Sequence, residues 1–184
     1  MKIIVAITGA SGSIYGIRLL EELYRFQIET HLILSHWAEE NILLETKYTP
    51  EQVRRLATHN YADRAMSAPI ASGSFLCRGM IVAPCSMKTM AAIATGLADN
   101  LIVRGADVCI KEGRKLILMP RETPLNSIHI ENMLKLSRLG VTIMPPVPAF
   151  YHQPETIEDI VNQTVGRVLD MMDIKNELVK RWQG

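Results

Sequence analysis

The sequence predicts an α/β fold: a doubly wound parallel sheet with helices on both faces. Three observations predict it. Short apolar runs rich in β-branched residues alternate with helix-period patterns along the chain. The first of these runs passes straight through a glycine-containing turn into a helix. The later runs end in prolines and serines, at 84–86, 120 and 145–148, where a strand hands over to a loop. At 184 residues the chain can bury a substantial core. No linker, repeat or low-complexity stretch divides it, so 1–184 is expected to be a single domain.

Strand one is expected over 2–8 (KIIVAIT), followed by a helix to about 26 that carries Ile17, Leu19, Leu20 and Leu23. Strand two covers 30–35 and a helix 36–45. Thr49-Pro50-Glu51 starts another helix, with threonine as cap and proline in the first turn. A strand at 79–83 leads through Pro84-Cys85-Ser86 into a helix at 87–96, and a further helix covers 99–112. Strand 115–119 runs into Pro120-Arg121-Glu122. A helix over 126–138 stops at Gly140, strand 141–144 enters a proline-rich loop, and the last helix covers 155–171. Ligands of such sheets bind beyond the carboxyl ends of the strands, at the switch point.

The loop after strand one reads Gly9-Ala10-Ser11-Gly12-Ser13-Ile14-Tyr15-Gly16. Glycines there let the backbone turn sharply, and the new helix presents free N–H groups and its positive dipole end to an anion. The loop lacks the Gly-Lys-Ser/Thr ending of a P-loop. Its glycines fall as G-x-x-G-x-x-x-G rather than G-x-G-x-x-G, and strand two ends in Ser35-His36 rather than in an acid. A mononucleotide such as FMN fits better than a dinucleotide. A turn that is glycine-rich only for tight packing is the competing reading. Ser86-Met87-Lys88-Thr89 and Arg121 add phosphate-compatible residues at other strand ends, which together suggest more than one phosphate group.

Other features are less specific. Cys85 could be a nucleophile at a strand–helix turn, but no histidine is near in sequence, so a small buried residue is the preferred reading. Glu45 and Glu122 could be acid–base groups or plain charges, and Tyr151, Arg167 and Trp182 are unremarkable on pattern alone. Three cysteines without a C-x-x-C pair suit a reducing cytoplasm. The five histidines make no metal motif, and no metal is expected. A net charge of +1 argues for neither nucleic acid nor membrane as partner, and no apolar run reaches the roughly 18–20 residues of a membrane span. The chain opens directly on a core strand, so no signal peptide is expected.

At these strand-end motifs the chain resembles the UbiX-type flavin prenyltransferases. The matching stretches include ITGASG (7–12), SHWA (35–38), LET (44–46), SGSF (72–75), PCSMKT (84–89), KEGRKLILMPRE (111–122), FYHQP (150–154) and VGRVLD (165–170), in the family's order over essentially the whole chain. The resemblance implies a flavodoxin-like Rossmann domain assembled as a dodecamer, with sites between subunits. It implies reduced FMN and dimethylallyl phosphate as ligands, without a metal. It also implies attachment of the isoprenyl unit to flavin N5 and C6, and prenylated FMN as the product passed to a UbiD-type decarboxylase. Carried over by position, FMN would be held by Gly9, Ala10, Ser11, Ser35, Ser86, Met87, Lys88, Thr89 and Arg121. Dimethylallyl phosphate would meet Lys111, Tyr151 and Arg167, with Glu122 beside the leaving phosphate. Ser11 and Glu45 would manage the N5 proton and Trp182 would close the site.

Two other readings stand beside this one. An FMN-dependent oxidative decarboxylase of cysteine-type substrates would need a catalytic histidine, for which His36 and His59 are loose candidates outside that group's motif. A non-catalytic flavin carrier or decarboxylase subunit would leave Lys111, Glu122 and Arg167 without a purpose.

Overall fold

The computed structural model describes residues 1–179, 181 and 182. Its elements, in chain order, are β1 (Lys2–Ile7), α1 (Ser13–Arg25), β2 (Glu29–Leu34), α2 (His36–Glu45), α3 (Pro50–Arg54), β3 (His59–Ala62), a 3-10 turn (Pro69–Ala71), β4 (Gly79–Cys85), α4 (Met87–Thr95), α5 (Leu101–Lys111), β5 (Lys115–Pro120), α6 (Ser127–Arg138), β6 (Thr142–Ile143) and α7 (Ile157–Met171). All strand pairings are parallel, in the order β3-β2-β1-β4-β5-β6. Without the short edge strand β3, the order becomes that of flavodoxin; with it, that of the doubly wound dinucleotide folds. In both descriptions the order reverses between β1 and β4.

Strand alternation divides the core into two layers. Ile3, Val5 and Ile7 of β1 face a cluster with Ile17, Leu20 and Leu23 of α1, Ala38 and Ile42 of α2, Val53 of α3, and Val161, Val165 and Leu169 of α7. Ile4 and Ala6 face the opposite cluster, with Met90 and Ile93 of α4, Ile102 and Ala106 of α5, and Leu136 of α6. The central strands are therefore buried on both faces, which is why they read as continuous apolar runs. The outer edge is different. β3 (HNYA) is mostly exposed and carries no apolar alternation, and no strand was expected there.

Two joints bring the strand ends together. Gly16 sits where α1 crosses the end of β4; a Cβ there would lie 2.2 Å from Ala83 O and 2.8 Å from Ile7 Cδ1. The buried Thr8 hydroxyl donates to Pro84 O (2.9 Å) and accepts from the Ser86 N–H (2.7 Å). The glycine-rich segment thus serves close helix–strand packing at Gly16, while Gly12, at φ 101°, makes the turn itself.

Candidate functional site

A cleft of about 820 Å³ opens at the carboxyl ends of β1, β2, β3 and β4. Five residues expected at a flavin site line it: Gly9, Ser35, Ser86, Lys88 and Thr89. Ser35 and Ser86 are the N-caps of α2 and α4, accepting from Ala38 N–H and Thr89 N–H. Two helix N-termini therefore reach one cleft, and both favour an anion there. Arg121 ties the walls together, its side-chain Nε–H donating to Ser11 O (3.2 Å) and its backbone N–H to Cys85 O (3.3 Å). Met87 opens α4 beside Lys88, and Ala10 is buried next to Ser11. Glu122 follows Arg121 and accepts from the Thr123 N–H.

The start of α1 departs from the sequence expectation. Its Gly12 and Ser13 N–H groups, offered there to a ligand phosphate, both donate to Glu45 Oε2, at 2.8 and 3.2 Å. Glu45 is the last residue of α2, so it couples the end of α2 to the start of α1.

Asp63 is a wall residue the sequence reading missed, because the strand that delivers it was not seen. It sits just past β3, in the cleft wall. Its Oδ1 is buried without a hydrogen-bond partner among the described residues. Burial raises its pKa, opposed by a hydrogen bond from the Ile102 backbone and by the Lys88 charge. A cleft-wall residue with an unpartnered carboxylate oxygen suits a ligand that brings hydroxyl donors, as the ribityl chain of FMN does. The donors, the two helix N-termini and the cleft's size all fit FMN.

The remaining predicted residues lie apart within one chain. The Tyr151 hydroxyl accepts from Gln163 Nε2 (2.7 Å), and its ring meets Trp182 edge-on at 5.7 Å. Trp182 is 70% exposed, so in the single chain it covers little besides Tyr151. Arg167 lies one turn beyond Gln163 on α7, 3.6 Å from Asp170. Lys111 is farther still. It ends α5 just before Lys115, which pairs with Gly79 at the start of β4, so it stands at the opposite end of the sheet from Ser11 and Ser86. Its ammonium pairs with Glu112 and lies close to Gly73.

Cys85 is fully buried, and burial pushes its thiol up to about 12, which removes it as a nucleophile. His36 lines the cleft against Trp37. His59 stands at the start of β3, at the end of the sheet away from the cleft.

A parallel sheet with a two-helix anion cleft at its switch point defines a flavin-binding α/β protein. The chain belongs to the flavoprotein family, whose profile matches residues 1–181, and within it to the UbiX-like flavin prenyltransferases. It is 53% identical over 184 residues to the flavin prenyltransferase LpdB of Lactiplantibacillus plantarum, covering 100% of this chain and 98% of that one. A crystal structure of AnUbiX in complex with FMN and dimethylallyl pyrophosphate superposes with a TM-score of 0.98 at 52% identity, over 100% of this chain and 97% of that one. A dodecameric FMN-dependent UbiX-like decarboxylase from Escherichia coli O157:H7 matches equally well, with a TM-score of 0.98 at 52% identity and full coverage of both chains. The FMN-dependent cysteine decarboxylase TvaF, at 15% identity and a TM-score of 0.63, shares the fold alone.

Proposed function

We propose that this chain is a flavin prenyltransferase that joins the dimethylallyl unit of dimethylallyl phosphate to N5 and C6 of reduced FMN. The observation that carries the reading is the full-length match to a structure in complex with FMN and dimethylallyl pyrophosphate, and this chain has a polar cleft at its switch point that fits FMN. FMN supplies the two atoms that are alkylated. The rest falls to the protein. Ser35, Ser86, Lys88, Thr89 and Arg121, with the Gly9-Ala10-Ser11 turn and Met87, hold the flavin. Lys111, Tyr151 and Arg167 hold the donor phosphate. Lys111, Arg121 and Arg167 offset the charge that grows as the allylic C–O bond breaks, and Glu122 delivers a proton to the departing phosphate oxygen. Ser11 and Glu45 exchange the N5 proton. The Trp182 π face stabilises cationic character on the prenyl carbon and excludes water that would trap it.

Because Lys111 stands at the foot of the sheet and Glu122 at its top, one chain cannot bring them to one phosphate. The reading therefore places the complete site between subunits, in a dodecamer such as the one named for the Escherichia coli relative. One sheet carries both core layers, which supports taking 1–184 as one domain. Among the described residues no helix is long and apolar enough to cross a membrane, and free, unpaired cysteines accord with a cytoplasmic enzyme. Its product would serve a UbiD-type decarboxylase.

The test is anaerobic incubation of purified protein with reduced FMN and either dimethylallyl phosphate or the diphosphate, followed by mass spectrometry of the extracted flavin. A flavin heavier by one isoprenyl unit is expected. Unmodified FMN, from protein shown to bind both ligands, would refute the reading in favour of a carrier. Glu122→Gln should leave FMN binding intact and slow turnover by roughly 10²–10⁴-fold, the usual contribution of a general acid.

A further inference from the structure

The end of the sheet away from the cleft holds a cluster that linear spacing could not reveal. Glu29 and His31 lie on β2, and His59 lies beside His31 in the β2–β3 register. His31 Nε2 stands 3.2 Å from Glu29 Oε1, and His59 Nε2 stands 3.4 Å from the same oxygen. The three ligand atoms all lie within 4.8 Å of one another. We infer that Glu29, His31 and His59 form a binding site for a divalent transition metal of the zinc class, which fastens the edge strand β3 to β2.

The geometry carries the inference. Zinc takes imidazole nitrogen and carboxylate oxygen at about 2.0–2.2 Å, and two ligand atoms of a tetrahedron at that distance lie about 3.3–3.5 Å apart. One edge of the Glu29–His31–His59 triangle, at 3.4 Å, has that length, and a second, at 3.2 Å, falls about 0.1 Å short of it. The third closes by rotation of His59, whose side chain is about half exposed. Water completes the fourth position.

The surroundings prepare the ligands. His31 is buried, held at Nδ1 by the Tyr61 hydroxyl (2.9 Å) and packed edge-on by Phe75 at 4.8 Å. That partner at the second ring nitrogen is the outer-shell contact that orients a metal-bound imidazole. Lys2 opposes the metal, its ammonium lying 3.6 Å from Glu29 Oε1. It is exposed enough to withdraw. The site is distinct from the flavin chemistry, and its effect is mechanical. β3 is a short, exposed edge strand, yet its far end delivers Asn60, Tyr61 and Asp63 to the wall of the cleft.

The experiment uses untagged, chelator-treated protein with its flavin retained, titrated with Co²⁺ as a spectroscopic probe and then with Zn²⁺. The expected result is one Co²⁺ per chain with the intense visible absorption of a tetrahedral site, displaced by Zn²⁺ and accompanied by a rise in Tm. His59→Ala and Glu29→Gln, at side chains exposed enough to tolerate change, should each abolish the band. His129→Ala, on a different surface, should keep it. Absence of a saturable tetrahedral band, or a band that survives both substitutions, would overturn the inference and leave a hydrogen-bonded cluster.

Discussion

Replacing Thr8 with valine tests how the two halves of the cleft are joined. Valine matches the shape of threonine, so packing is kept and only the hydroxyl is lost. That hydroxyl is 1% exposed as a residue and makes two hydrogen bonds, to Pro84 O and from Ser86 N–H. Their losses are unequal. Pro84 O keeps the Thr8 N–H as a donor at 3.2 Å, so it remains satisfied. The half-buried Ser86 N–H loses its acceptor, and an unpaired donor that is shielded from water costs about 1–3 kcal/mol. The substitution should therefore destabilise the protein by about 2 kcal/mol, a Tm fall of roughly 4–8 °C for a chain of this size. Ser86 is both the α4 cap and a cleft wall residue, so FMN affinity should fall as well. Thermal melts at matched protomer concentration, with and without FMN, and a flavin fluorescence titration measure both effects. Wild-type stability together with wild-type affinity would show that Thr8 does not hold the two strand ends together.

The remaining predictions address other joints. Gly16→Ala forces a methyl against Ala83 O and Ile7, and despite better helix propensity should cost about 1–3 kcal/mol, read by chemical denaturation; a stabilised variant would contradict the close approach. Arg114→Ala removes donors to Phe75 O and Gly73 O (each 2.6 Å), freeing the loop beside Lys111, and should lower turnover while FMN affinity stays unchanged. The Cys77 thiol, held down to about 6 by a hydrogen bond from Cys109 and by the Arg114 charge, should be the one alkylated by iodoacetamide at pH 7, and Cys77→Ser should abolish that labelling. Its native pKa lies below that of an unfolded thiol. Its contribution to stability is therefore complete above the unfolded value and should disappear as pH falls from about 9 through 6.

What the sequence disclosed follows from what each element buries. The central strands, covered on both faces, announce themselves as apolar runs, and five of the six strands and all the helices with an apolar stripe were legible. β3 was not, because His59, Asn60, Tyr61 and Ala62 are mostly exposed and β3 exists by pairing with β2 rather than by hydrophobic pattern. Asp63 was lost with it. Cys85 was read correctly as buried, but it is the last residue of β4 rather than part of the turn after it. The family motif put Lys111, Tyr151, Arg167 and Glu122 into one site, yet the order helix 99–112 then strand 115–119 in a parallel sheet already places Lys111 at the strand starts, opposite Glu122 at a strand end.

The same geometry reassigns the work of the first loop. An isolated βα turn of this kind would point its free N–H groups at a ligand phosphate. Here Glu45 has taken those of Gly12 and Ser13, and a carboxylate already neutralises that dipole end. A second anion beside it would be repelled. The start of α4 suits a ligand phosphate better, since it has no acid in its first turn and carries Lys88, whereas the first turn of α2 holds Glu39, paired with Arg54. Gly9 in the same turn is packed against Trp37, where a Cβ would lie 2.4 Å from Trp37 Cβ, so its lack of a side chain serves helix–loop packing. Glu45 is thereby held against the turn that carries Ser11, which keeps the two residues of the proposed N5 proton exchange together.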